Sequence, residues 1–234
     1  MGFQKKKKNL SPLGCPPTSS RNNIPGPPWL VIIMAALPTF SFSLAPTLSL
    51  FPTSREALNA EYPDITDLMV GALIFSLKSF SKEALKSTPP QKPRPRLLVL
   101  QRASTLPINQ HPAKWDFPGG RFETSDNSIF DAVAREIWEE TGCHLSRILE
   151  FAGINTWVKG PEYGSRKWGK FVFLAEVAEL EDADELDKVP ISLADDEHRA
   201  YSWVTEENVG AYDFIGEDQS QMLKEAFRKF EGLV

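Results

Sequence analysis

Apolar positions recur along this chain in two rhythms. Between residues 129 and 141, Phe130, Val133 and Ile137 recur at helical spacing, Ser128 and Asp131 have the S-x-x-D arrangement of an N-terminal cap, and Gly142 sits where a left-handed C-terminal cap belongs. The pattern predicts a helix with one apolar stripe. The runs LMVGALIFSL from Leu68, RLLVLQR from Arg96, ILEFAGINTWVK from Ile148 and KWGKFVFLAEVA from Lys167 read as strands, and EHRAYSWV from Glu197 leads into a last one. GPEYGSR, a Gly/Pro loop, joins the third and fourth runs and predicts an antiparallel hairpin. DQSQMLKEAFRKF has the spacing of a closing helix. This order implies an α+β fold in which helices cover a mixed central sheet.

Residues 1–62 interrupt this patterning with KKKK at 5–8, many prolines and intervening serines, and are expected to be a disordered Pro/Ser-rich tail preceding a domain at 63–234. The longest proline-free apolar run there, Trp29 to Leu37, falls far short of the roughly 20 residues a membrane span requires, so no stable membrane insertion is expected. A polar, proline-rich insertion from Ser79 to Arg96 separates the first two strands. At 234 residues the chain is long enough for one domain with a substantial core, and 41% hydrophobic with 24% charged residues is ordinary for a globular protein. The net charge of -5 argues against binding a nucleic-acid polymer. Cys15 and Cys143 form neither a disulfide framework nor a zinc spacing, which fits a reducing, cytoplasmic setting.

Chemistry concentrates on the central helix. Glu136 and Glu140 stand one turn apart and Glu139 lies three residues from Glu136, so the three carboxylates converge. Like charges at that spacing destabilise a bare helix, a cost that a hard divalent cation reverses; the bland alternative is a solvated face with an Arg135–Glu139 pair. Just ahead, in WDFPGGRFE, paired glycines allow a main-chain carbonyl to approach a ligand closely.

These residues resemble the Nudix hydrolases, whose signature reads G-x5-E-x7-R-E-U-x-E-E-x-G-U, with U a bulky apolar residue. Arg135, Glu136, Ile137, Glu139, Glu140 and Gly142 match its second half, with Cys143 as the final apolar position. The first half departs: counted from Gly120, the signature Glu falls on Asp126, and eight residues rather than seven then precede Arg135. Glu123 supplies the GGxxE extension of many members. Either the longer loop compensates for the shorter carboxylate or the position is vestigial; the vestigial case is the expectation, since the helix already supplies enough charge. EHRAYSWV is similar to the corresponding stretch of the diadenosine tetraphosphate hydrolases and of nucleoside-triphosphate-cleaving relatives.

The resemblance implies a Nudix-type α/β/α sandwich and hydrolysis of a phosphoanhydride in a nucleoside diphosphate linked to another moiety. Glu136, Glu139, Glu140 and the carbonyl of Gly120 would hold Mg²⁺ or Mn²⁺, Arg135 would orient Glu136, and the general base would be Glu136 or Glu197. A module of this fold that binds a nucleotide or protein without cleaving it is the alternative. The partner expected is a small nucleotide. Arg102, at a strand end, either reaches an anionic substrate or makes a structural salt bridge. Arg166, Trp168 and Lys170, around the hairpin loop, suit stacking a base and neutralising phosphates. His198 reads as structural rather than catalytic.

Overall fold

The computed structural model describes residues 39–78, 80, 94–103, 111–160, 164–216 and 219–234. The first 38 residues of the expected tail and nearly all of the proline-rich insertion lie outside the described residues.

Among the described residues seven strands form one mixed sheet: β1 (Ser43–Leu44), β2 (Asp67–Ser76), β3 (Arg96–Arg102), β4 (Trp115–Asp116), β5 (Leu145–Val158), β6 (Lys167–Val177) and β7 (His198–Val204). Their order is β1-β5-β6-β2-β3-β4, with β7 on β3. The predicted hairpin is β5 against β6, antiparallel, while β2 runs parallel to β6. Strand alternation sends Val70, Ala72 and Ile74 to one face and Leu73 and Phe75 to the other. Helix α2 (Ile129–Thr141) packs Ile129, Val133 and Ile137 into the first face, and α4 (Gln219–Leu233) packs Leu223, Phe227 and Phe230 onto the second. Two shorter helices, α1 (Arg55–Glu61) and α3 (Ala178–Asp182), complete the set among the described residues. This is the expected α/β/α sandwich.

One irregularity positions the site. β7 lies along β3 from Leu97 to Arg102, so β2 and β4 share the other edge of β3, and among the described residues β2 pairs with it only at Phe75 and Ser76. Into the opening between them runs the glycine loop. Ala72 N–H donates to the Pro118 carbonyl at 2.8 Å, Val70 N–H to that of Gly120 at 2.9 Å, and Phe122 N–H to that of Leu68 at 3.0 Å. These bonds satisfy backbone groups of β2 that β3 leaves unpaired, and they fix the loop against a core strand.

The structure moves the expected boundary at 62/63 upstream. β1 pairs in parallel with β5, Leu48 and Leu58 are buried, and the Phe51 ring sits 4.9 Å from that of Phe151 and 5.3 Å from that of Phe173. Proline does not prevent this: Pro46 occupies the start of a 3-10 turn (Pro46–Leu48), where its missing N–H costs nothing. Ser54 caps α1 by accepting from Ala57 N–H at 3.1 Å. Ser54→Ala should therefore lower stability by about 1 kcal/mol, read as a melting point lower by about 2–4 °C. An unchanged melting point would return residues 39–62 to the status of a tail.

Candidate active site

Helix α2 delivers its acids where its caps and apolar stripe dictate. The Ser128 hydroxyl accepts from Asp131 N–H at 3.1 Å, and Gly142 ends the helix at φ 69°. With Val133 and Ile137 turned into the core, Arg135, Glu136 and Glu140 are carried against the glycine loop, and all three are buried.

Arg135 is the hub. Its Nε and Nη2 donate to the two carboxylate oxygens of Asp126 at 2.9 and 3.0 Å, Nη1 donates to Glu136 at 2.8 Å and Glu139 at 2.9 Å, and Nη2 also reaches the Arg121 carbonyl at 2.7 Å. Burial works against the guanidinium charge, but Asp126 and Glu136 more than offset it and hold its pKa above the ordinary range. The sequence leads us to expect a vestigial Asp126; in the structure its carboxylate is engaged by Arg135. The extra loop residue lets the shorter side chain form a two-pronged clamp on Arg135, and its Oδ2 also takes the Glu123 N–H at 2.8 Å.

Glu136 and Glu140 are tied differently. Arg135 holds Glu136, whose carboxylate presses on Gly120: a Cβ there would lie 2.5 Å from both of its oxygens. Glu140 accepts the Gly119 N–H at 2.8 Å. Gly119 has φ +154°, and a Cβ would fall 2.3 Å from the Val70 carbonyl oxygen, so only glycine fits. The expectation for Gly120 changes in one respect. Its carbonyl is engaged by Val70 N–H.

Glu197 and His198 come from the start of β7. Glu140, Glu197 and His198 each bring a ligand atom within 4.8 Å of the others, the one grouping of this kind among the described residues, and a donor set of carboxylates and imidazole fits a divalent cation. Glu139 stands at the rim, its side chain 40% exposed and turned to Arg135.

Burial pushes the Glu136 carboxyl up to about 7 against the pull of Arg135. Burial and the Glu136 charge push Glu140 well above its ordinary range, with Gly119 N–H and Lys170 opposing. His198 moves the other way, down to about 4, through burial and the Arg102 charge. These shifts have opposite consequences for stability. The folded chain keeps a proton on Glu136 between pH 4.5 and 7 that the unfolded chain releases, so this contribution is lost as pH rises through that window. The folded chain excludes a proton from His198 between pH 4 and 6.5, so that contribution is lost as pH falls. With divalent cations chelated, Glu136→Gln combined with Glu140→Gln, which removes both raised carboxyls, should leave stability rising with pH between 4.5 and 6.5 by up to about 3 kcal/mol, and His198→Asn should leave it falling. Denaturant melts across the window measure both slopes, and parallel slopes in the two variants would refute the assignment.

The residues expected from the sequence to face a substrate are placed unevenly. Lys170 is buried rather than at the hairpin tip: it shares the strand face of Val172 and Leu174, its Nζ pairs with Asp116 at 3.2 Å, and it lies 4.1 Å from the Phe117 ring centroid. Gln219, at the start of α4, donates to the same Asp116 carboxylate at 2.8 Å. Lys170 thus anchors the sheet beneath the glycine loop. Trp168 is also buried, with Arg121 Cζ 4.8 Å and Lys159 Nζ 4.3 Å from its ring centroid and Trp157 stacked at 6.2 Å, so the surface offered to a base is already taken. Arg166 is exposed and pairs with Asp67 at 2.6 Å. Arg102 lies opposite His198 in the β3–β7 register. Sequence reading missed Asp116, Gln219, Arg55 and Arg121; for Asp116 the available signal was its place next to Phe117, at the entry to the glycine loop.

The NUDIX domain family matches residues 89–226. The chain belongs to the Nudix family, and it is an enzyme of that family, hydrolysing pyrophosphate linkages in nucleotide derivatives. No curated protein matches it in sequence. Among solved structures it is similar to an Ap4A hydrolase from C. elegans in a binary complex, at 17% identity over 71% of this chain and 99% of that one, with a TM-score of 0.48. The NUDIX domain of NrtR from Shewanella oneidensis, complexed with ADP ribose, is 16% identical over 76% and 99%, also with a TM-score of 0.48. A MutT NUDIX hydrolase from Burkholderia pseudomallei is 19% identical over 68% and 96%, with a TM-score of 0.46. No helix among the described residues is long and apolar enough to cross a membrane.

Proposed function

We propose that the chain cleaves a phosphoanhydride bond of a nucleoside diphosphate joined to a further group, as in nucleoside triphosphates and dinucleoside polyphosphates, with Mg²⁺ or Mn²⁺. The observation that carries this reading is the burial of Glu136 and Glu140 together beside the glycine loop, with Glu197 adding its charge to theirs. Buried like charges raise one another's proton affinity and destabilise the empty site, which suits a site completed by a cation. Glu136, Glu140 and Glu197 would hold it, with His198 beside Glu140 and Glu197 and with Glu139 at the rim. A carbonyl of the glycine loop would join them; that of Gly119, which takes no hydrogen bond among the described residues, suits this better than that of Gly120. When bound, the metal neutralises phosphoryl charge and acidifies the attacking water.

The protein's own groups do the rest. Arg135 holds Glu136 in one orientation, and Asp126 holds Arg135. As the water oxygen bonds to phosphorus, a carboxylate takes its proton and the bridging oxygen departs with the other phosphate. Glu136 or Glu197 serves as that base. A reducing, cytoplasmic setting accords with Cys143, which is buried and unbridged. Incubation with a nucleotide panel and Mg²⁺ or Mn²⁺ tests the proposal, with phosphate-bearing products expected. If no member of the panel is cleaved with either ion, the reading fails.

A further inference from the structure

On the outer side of the glycine loop lies a second cleft, of about 220 Å³, whose walls include Arg55, Arg121, Arg166 and Trp168. Arg121 directly follows Gly120, and its carbonyl accepts a hydrogen bond from Arg135 at 2.7 Å, so the cleft adjoins the carboxylate site through two residues of chain. Its cations are unequally engaged. Arg166 is paired with Asp67, and Arg55 donates to the Phe122 carbonyl while lying over the Phe122 ring at 4.6 Å. Arg121 is exposed, has no carboxylate partner among the described residues, and rests over Trp168. Three guanidinium groups thus face two carboxylates, Asp67 and Glu123, in a chain whose net charge is -5.

That excess is held in place. The aromatic supports under Arg55 and Arg121 pre-orient their planar forks, which match phosphate oxygens and lose little freedom on binding. The volume lies below the roughly 300 Å³ at which pockets begin to enclose whole drug-sized molecules, and Arg121, Lys159 and Trp157 already crowd the Trp168 ring. A compact anion fits there better than a base. Arg55, moreover, comes from α1, outside the residues 89–226 that match the family.

We infer that this cleft is a phosphate subsite, in which Arg55, Arg121 and Arg166 hold a substrate phosphate remote from the linkage cleaved. It favours nucleoside polyphosphates over nucleotides whose second moiety is uncharged. The inference rests on the proposed hydrolysis for its role but not for its ligand, and two measurements separate the parts.

In the first, inorganic tripolyphosphate is titrated into the full chain with divalent cations chelated, which leaves the carboxylate site unable to attract it. Wild type binds, Arg121→Ala binds at least about tenfold more weakly, as loss of one charge-assisted hydrogen bond implies. Arg121→Lys falls between, keeping the charge without the fork. In the second, kcat/KM is compared for a nucleoside triphosphate and a nucleotide sugar. Arg121→Ala loses at least about tenfold more on the triphosphate, through KM. Equal tripolyphosphate affinity in wild type and Arg121→Ala, no binding by wild type, displacement by free adenosine, or an equal loss on both nucleotides overturns the subsite. A chain that cleaves neither nucleotide yet binds tripolyphosphate through Arg121 sinks the hydrolase reading and keeps the subsite.

Discussion

Glu140→Gln should reduce turnover by at least about a hundredfold, more than the loss typical of groups that only support a metal ligand, while leaving the protein as stable as before or more so. The amide can still accept the Gly119 N–H that the carboxylate accepts at 2.8 Å, so the contact between α2 and the glycine loop survives. What disappears is a negative charge placed where burial and Glu136 already oppose it. In the chelated protein at pH 8, neutralising that position relieves repulsion, and the melting temperature should hold or rise. With Mg²⁺ or Mn²⁺ present the order should reverse, since the wild type gains more from the ion than the variant does. Near-wild-type turnover at saturating metal, or a melting temperature lowered by several degrees in chelator, would remove Glu140 from the proposed role.

Helix α2 was legible because everything that makes it is local. Ser128, Asp131 and Gly142 lie within the helix or beside it, and Phe130, Val133 and Ile137 report their common face through spacing alone. The long strands were legible for the same reason. The segment from 39 to 62 was not. Its apolar anchors Leu48, Phe51 and Leu58 keep no period and are interrupted by prolines, and the partners that order them, such as Phe151 and Phe173, stand about a hundred residues downstream. Lys170 shows a different failure. Its charge suggested the exposed tip of a hairpin, yet two-residue alternation with Val172 and Leu174 already placed it on a buried face. The charge is tolerated there because Asp116, reached through a strand on the far side of the sheet path, supplies the counterion. A local pattern can show that a position is inward; only the fold shows what waits for it.

Asp126 carries that lesson to the centre of the site, and its removal should have the second large effect. Asp126→Ala deletes a carboxylate that binds Arg135 at 2.9 and 3.0 Å, with both side chains buried. Breaking one partner of a buried pair costs about 3–5 kcal/mol, and for a domain of this size the melting temperature should fall by on the order of 10 °C. Glu136 and Glu139 still touch the guanidinium, which tempers the loss of charge compensation but not of position, because the clamp fixes Nε and Nη2 while these two acids both hold Nη1. Turnover should therefore fall along with stability, as Arg135 loosens and Glu136 with it. Asp126→Asn separates the causes: the amide retains the shape and one acceptor but not the charge, and should recover part of the stability. A double-mutant cycle pairing Asp126→Ala with Arg135→Ala should give a coupling of at least about 1.5 kcal/mol, within the range seen for residues in one network. If the two losses simply add, the clamp is incidental, and Asp126 has no part in orienting Glu136.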